Sequence, residues 1–158
     1  MGGMTEMVEE FLNEQEIQFE RLQDHPVFRF EVRGEHARYM CYLQVIEEHS
    51  QVLSYVCTPN NAPDTKRDSV AEFITRANYG MNLGNFELDY EDGEVRFKTS
   101  VDVEGGELTE TMLRNLLTAG LTLTERYYRG LMAVMFSNSE PKRAILESES
   151  LASIPDEM

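Results

Sequence analysis

Near the start of the chain the apolar residues Met4, Met7, Val8, Phe11 and Leu12 recur at i, i+3, i+4, i+7 and i+8, which predicts an amphipathic helix with Thr5 as its N-cap. Its other face, Glu6, Glu9, Glu10 and Glu14, reads as a solvated surface whose first-turn acid suits the helix dipole. At Ile17 the period changes to two. Ile17 and Phe19 alternate with polar residues, and after Asp24-His25-Pro26 so do Phe28, Phe30 and Val32, giving two strands about a turn. Residues Tyr39 to Ile46 and Val52 to Cys57 form a second pair, joined through Glu47-Glu48-His49-Ser50. There both faces are apolar: Tyr39, Cys41, Leu43 and Val45 point one way, and Met40, Tyr42 and Ile46 the other. Such a strand wants cover on both sides, from helices on one and from a second copy of the chain on part of the other.

Pro59-Asn60-Asn61-Ala62-Pro63 breaks the sheet, after which Val70, Phe73, Ile74 and Ala77 restore helical spacing until Gly80. Phe86, Leu88 and Tyr90 then alternate with acids, Asp92-Gly93 offers a two-residue type I′ turn, and Val95, Phe97, Val101 and Val103 follow. A two-residue loop sets Leu88 opposite Phe97, Asp89 opposite Arg96 and Glu87 opposite Lys98. Gly105-Gly106 closes the hairpin, and Leu108-Thr109 opens a long helix through Met112, Leu116, Leu121, Tyr127, Leu131 and Phe136. Within it Gly120, worth about 1 kcal/mol less than Ala in a helix, marks a kink or a close approach of another backbone. Tyr127 and Tyr128 point about 100° apart, so one should face the core and the other a partner. Pro141 starts a short helix through Leu146, and residues 147–158 read as a flexible acidic C-terminal tail, leaving 1–146 as a single domain.

The fold class is therefore α+β, an antiparallel sheet flanked by helices in the order helix, four strands, helix, two strands, long helix. The length of 158 residues and 41% hydrophobic content support one core. The net charge of −15 comes from 29 acids and 14 bases spread through all parts of the chain. Phosphate backbones and anionic leaflets both need clustered cations, so neither nucleic acid nor a membrane is the expected partner. Met1 to Glu10 carries no base to begin a signal peptide, which points to the cytoplasm. Cys41 and Cys57 lack CxxC spacing and read as buried thiols.

Candidate chemistry is sparse. His25, His36 and His49 lie in or beside turns with no HxxxH, HxH or ExxH spacing, and read as surface residues rather than metal ligands. The acidic run from Glu87 to Glu94 fails as a calcium loop, because a sixth-position Gly93 puts Leu88 first and Thr99 twelfth, where carboxylates are needed. Neither a GxSxG elbow nor a P-loop nor GxGxxG occurs, so no cofactor and no catalytic residue is expected. Met112, Met132 and Met135 share a stripe with Leu and read first as core.

Three strings are distinctive: Arg76-Ala77-Asn78-Tyr79-Gly80, Gly84-Asn85-Phe86-Glu87-Leu88, and Asp92-Gly93-Glu94-Val95-Arg96-Phe97-Lys98-Thr99-Ser100. They resemble the YbjN family of bacterial sensory-transduction regulators, over a span from about residue 4 to residue 146. Two places depart from the family pattern: Gly34-Glu35-His36-Ala37 has no aromatic, and Arg129-Gly130 stands where a proline-containing stretch would fit. The resemblance implies a type III secretion chaperone-like fold, frequent dimers, and a regulatory or chaperone-like role without an assigned reaction. The expected function is a non-enzymatic cytosolic protein-binding module acting as a homodimer, with Met40, Tyr42, Ile46, Tyr127, Tyr128 and Met132 as contact residues for a partner protein or a second copy. The alternative is a ligand-responsive sensor or an unrecognised enzyme, with a pocket between the long helix and the sheet that involves Asn78 or Tyr79.

Overall fold

A computed structural model describes residues 3–151. Helix α1 (Gly3–Glu14) leads into β1 (Glu20–Arg21), β2 (Val27–Arg33), β3 (Arg38–Ile46) and β4 (Gln51–Cys57). Helix α2 (Arg67–Asn78) follows, then β5 (Asn85–Leu88), β6 (Val95–Asp102), α3 (Glu110–Phe136) and α4 (Pro141–Leu151). The six strands form one sheet in the order β1-β2-β3-β4-β6-β5, antiparallel throughout.

Strand period does the sorting. Phe28, Phe30, Tyr39, Cys41, Leu43, Val45, Val52, Val56, Phe86, Val95 and Phe97 all project to one side and are buried. Against them pack α1 at β3, α3 at β4 and β6, and α2 at β5, while α4 lies on α2 and α3. Residues on the other side, including Met40, Tyr42, Ile46, Leu53, Tyr55 and Cys57, are only half-buried. Among the described residues, helices thus cover one face of the sheet and leave the other without a layer.

Two glycines let α3 sit close. A Cβ on Gly120 would lie 3.0 Å from Val56 Cγ2, so the expected close approach is to a sheet side chain and α3 runs on without a break. A Cβ on Gly130 would fall 2.3 Å from Ser148 Oγ and 3.0 Å from the Phe73 ring, so a side chain there would crowd the place where α4 and α2 meet α3. Thr109 caps α3 as its sequence implies, its hydroxyl accepting from the Met112 N–H at 3.1 Å.

Several sequence expectations are corrected. Thr5 lies inside α1, and its N–H and hydroxyl donate to the Glu47 carboxylate at 2.9 and 2.7 Å, so a distant carboxylate ties the first turns of α1 to the sheet. The first strand is two residues long and begins after Phe19. Cys41 is buried, but Cys57 is half-buried on the helix-free face. The 147–158 tail is not wholly a tail, because α4 continues to Leu151 and buries Ser148 against Gly130; residues 152–158 lie outside the described residues.

The β5–β6 hairpin is displaced by two residues from its charge-based register. Leu88 faces Val95, Glu87 faces Arg96, Phe86 faces Phe97 and Asn85 faces Lys98. The connection is a longer loop closed by Asp89 N–H to the Glu94 carbonyl (2.9 Å) and Gly93 N–H to the Asp89 carbonyl (2.7 Å). Tertiary contacts override the Asp-Gly turn. The Ala62 N–H donates to the Gly93 carbonyl at 2.7 Å, Asn61 Nδ2 donates to the Asp92 carbonyl at 3.1 Å, and Arg67 reaches the Tyr90 carbonyl at 2.8 Å. Because the shift is even, each side chain keeps its face. Tyr90 leaves the apolar set, becomes exposed, and donates its hydroxyl to Asp68.

Candidate functional site

The helix-free face gathers side chains from several strands. Tyr42 sits beside Tyr55 across β3 and β4, Met40 beside Cys57, and Gln44 beside Leu53, with Ile46 at the end of the row. On β6 the Arg96 guanidinium lies 4.1 Å from the centroid of the Tyr55 ring, a cation–π contact that holds the ring in place. Arg96 also pairs with Glu87 at 2.7 Å, and Lys98 pairs with the same carboxylate at 3.4 Å. Burial alone would raise the Glu87 carboxyl, but the hydrogen bonds and charge of Arg96, then those of Lys98, outweigh it and hold the group below its usual range. At the opposite border the Glu20–Arg29 ion pair and Met40 line a shallow hollow of about 280 Å³.

Charge sets this face apart. Its strand residues include five cations, Arg29, Arg33, Arg38, Arg96 and Lys98, against four carboxylates, Glu20, Glu31, Glu87 and Asp102. These strand residues sum to +1, so the net −15 of the chain is carried entirely by other residues. An apolar row within a near-neutral frame, on an otherwise acidic protein, is the one sheet surface where a second acidic body meets little repulsion.

The six contact residues expected from sequence do not form one surface. Met40, Tyr42 and Ile46 share the helix-free face. Tyr127, Tyr128 and Met132 belong to α3 on the covered side. Tyr127 is the tyrosine that faces the core, edge-on to Phe73 and Phe86, with its hydroxyl donating to Glu149 at 2.9 Å. Tyr128 packs edge-on against Tyr39 at 5.8 Å and donates to Asn60 Oδ1 at 3.0 Å. Met132 lies half-buried against the core, so these three hold the molecule's own elements together. Leu53, Tyr55 and Arg96 share the face of Met40, Tyr42 and Ile46, and the alternation of β3, extended to its partner strands, is the sequence signal that places them there.

Where α3 crosses β4 and β6, near the place of the expected pocket, the packing is close. Gly120 abuts Val56, and Thr99 donates its hydroxyl to the Leu116 carbonyl at 3.2 Å. Asn78 is engaged twice by one residue, accepting from the Phe86 N–H at 2.7 Å and donating to the Phe86 carbonyl at 3.1 Å, so it closes the outer edge of β5. Tyr79 points away from the protein, 91% exposed. The environment disfavours both thiolates: burial first, then the neighbouring Cys57, pushes Cys41 up to about 12, and burial followed by Glu94 pushes Cys57 up to about 12. His36 Nε2 lies 4.0 Å from Glu125 Oε1 of α3.

A family model matches residues 5–132, described as a putative bacterial sensory transduction regulator, YbjN. The chain belongs to the YbjN family. Among solved structures, YbjN from E. coli, a putative transcription regulator, aligns with a TM-score of 0.57 at 10% identity, covering 84% of this chain and 89% of that one. The ExsC-ExsE complex aligns with a TM-score of 0.56 at 14% identity, covering 81% of this chain and 92% of that one. The Yersinia Pestis type III secretion chaperone SycH, solved with a fragment of YscM2, aligns at 0.47 and 18% identity, covering 73% and 91%. Among curated protein sequences none matches the chain. This YbjN-family chain has the antiparallel sheet and flanking helices that its sequence resemblance implies. Among its described residues no helix is long and apolar enough to cross a membrane.

Proposed function

We propose that this protein is a non-enzymatic, cytosolic protein-binding module, regulatory or chaperone-like, that docks polypeptide on the helix-free face of its sheet. The same face joins two copies of the chain into a homodimer. The observation that carries the reading is the half-buried row Met40, Tyr42, Ile46, Leu53 and Tyr55, which no element of the described chain covers. Contiguous apolar surface of this kind is uncommon on isolated monomers and marks contact sites. A twofold axis through the row is the commonest way to cover it. The near-neutral frame supports the same reading, since two copies each carrying −15 would otherwise repel on approach. The matched chain of the ExsC-ExsE complex shares this fold and is solved bound to another protein, which supports polypeptide as the class of partner.

Light scattering near neutral pH is expected to report twice the chain mass of 18.2 kDa. Tyr42→Glu and Ile46→Glu should each return the monomer mass with an unchanged circular dichroism spectrum. A native protein that stays monomeric at high concentration would remove the homodimer, and wild-type mass in both variants would remove this face as its interface.

A further inference from the structure

The β2–β3 turn and the middle of α3 bring together three metal-ligating side chains that the docking face does not use. Glu35, His36 and Glu125 each offer one ligand atom, and these atoms all lie within 4.8 Å of one another. His36 Nε2 is 4.0 Å from Glu125 Oε1, and the two side chains are 27% and 22% exposed, so a bound ion would be partly shielded from water. Glu125 is held in place by backbone. Its Oε1 accepts from the Glu35 N–H at 3.1 Å and its Oε2 from the His36 N–H at 3.4 Å. Gly34 makes the approach possible, since a Cβ there would fall 2.0 Å from Glu125 Oε2 and 2.7 Å from Tyr39 Cε2.

A second, independent observation lies beneath the cluster. Tyr39 is fully buried, and among the described residues its hydroxyl makes no hydrogen bond of ordinary geometry, an uncommon and costly state for a buried polar group. The Tyr39 ring edge and the Glu125 carboxylate both crowd the Gly34 position, so the tyrosine lies directly behind the cluster. A polar group placed behind a carboxylate ligand is the arrangement that orients such ligands in metal sites.

We propose that Glu35, His36 and Glu125 form a site for a borderline divalent cation of the Zn²⁺ class, linking the β2–β3 turn to α3. One imidazole nitrogen and two carboxylates favour such an ion over Ca²⁺ or Mg²⁺, which prefer all-oxygen shells. Ligand atoms at about 2.0–2.2 Å from Zn²⁺ stand at most about 4.4 Å apart. A small inward swing of the exposed Glu35 side chain brings the observed span into that range. Water supplies the fourth ligand. The acidic surface raises the local cation concentration, while the imidazole supplies the selectivity.

The test is calorimetric titration of the full-length protein with Zn²⁺ at pH 7.5 in millimolar excess Mg²⁺. Saturable uptake near one ion per chain is expected, and His36→Gln and Glu35→Gln should each weaken it by roughly tenfold or more, as loss of a direct ligand should cost at least what loss of an outer partner does. His25→Gln, at a turn outside the cluster, should leave it unchanged. Circular dichroism should match wild type in all three variants, since these side chains lie at turns. With Co²⁺ as the probe, visible absorption bands should appear in the wild type and vanish in His36→Gln. Absence of saturable uptake, a smaller loss in His36→Gln, or displacement of Zn²⁺ by Mg²⁺ overturns the assignment.

Discussion

The two faces of the central sheet are made by the same strands and have opposite fates. On the covered face every second residue of β3 is an apolar group driven fully out of water by α1 and α3, from Tyr39 to Val45. On the other face Met40, Tyr42 and Ile46 are equally apolar in sequence, yet they remain half-exposed beside Arg96, Lys98 and Gln44. Apolar content of a strand thus states a demand for cover on each side. Where the helices go decides which demand the chain meets itself.

The largest effects should separate the faces by stability. Phe97 is fully buried against Phe86 and beneath Gly120, so Phe97→Ala is expected to cost about 3–5 kcal/mol. Tyr42→Ala, measured by urea unfolding at concentrations dilute enough for monomer, should cost about 1 kcal/mol or less. Equal losses would mean that the second face is as much core as the first. Next in size is Gly130→Ala, where the added methyl meets Ser148 and the Phe73 ring. Overpacking at that crossing should cost about 1–3 kcal/mol, whereas an ordinary exposed helix position would gain from the same change.

Much of this difference was legible in the sequence, and the limits are instructive. Period-two spacing assigned Tyr39, Cys41, Leu43 and Val45 to one side and Met40, Tyr42 and Ile46 to the other, because strand geometry alone fixes that division. It could not set the β5–β6 register, since the loop from Asp89 to Glu94 answers to Ala62, Asn61 and Arg67, which are distant in sequence. Helical spacing bounded α3 and showed that Tyr127 and Tyr128 diverge. It could not show that Tyr128 would be taken up by Tyr39 and Asn60 of the same chain. The end of α4 has no apolar period to read because Glu and Ser dominate it, while what ties it down is tertiary: Ser148 meets Gly130 and Glu149 accepts from Tyr127. The meeting of Glu35 and His36 with Glu125 spans about ninety positions and leaves no local pattern.

A smaller effect tests the electrostatic frame of the open face. Glu87 is held below its ordinary value, so its ion pairs with Arg96 and Lys98 stabilise the folded state above the usual glutamate pKa of about 4.3, and that contribution disappears as pH falls through the lower folded value. Glu87→Gln should therefore be less stable than wild type at pH 7, and the gap should close below pH 4. Unfolding curves at the two pH values measure it. A gap that persists in acid would mean that the loss comes from packing rather than from the charge.

The subtlest contrast is between the two cysteines, which sit almost back to back on β3 and β4 but face opposite ways. Cys41 is fully buried on the covered face and Cys57 half-buried on the open one, and burial as the largest cause pushes both thiols up to about 12. At pH 7.5 an ordinary thiol is about one-tenth thiolate, and a group near 12 is ionised several thousand-fold less, so neither should react quickly in the native protein. Access then sets the order. Cys57 can be reached from solvent with the fold intact, whereas Cys41 requires an opening of the core, so Cys57 should be labelled first by iodoacetamide under native conditions. Raising the protein concentration should slow Cys57 further if a second copy covers the open face, and should leave Cys41 unchanged. Peptide mapping of the alkylated protein gives both rates. Equal rates would show that the two faces open together, and a Cys57 rate independent of concentration would show that no second copy covers that face.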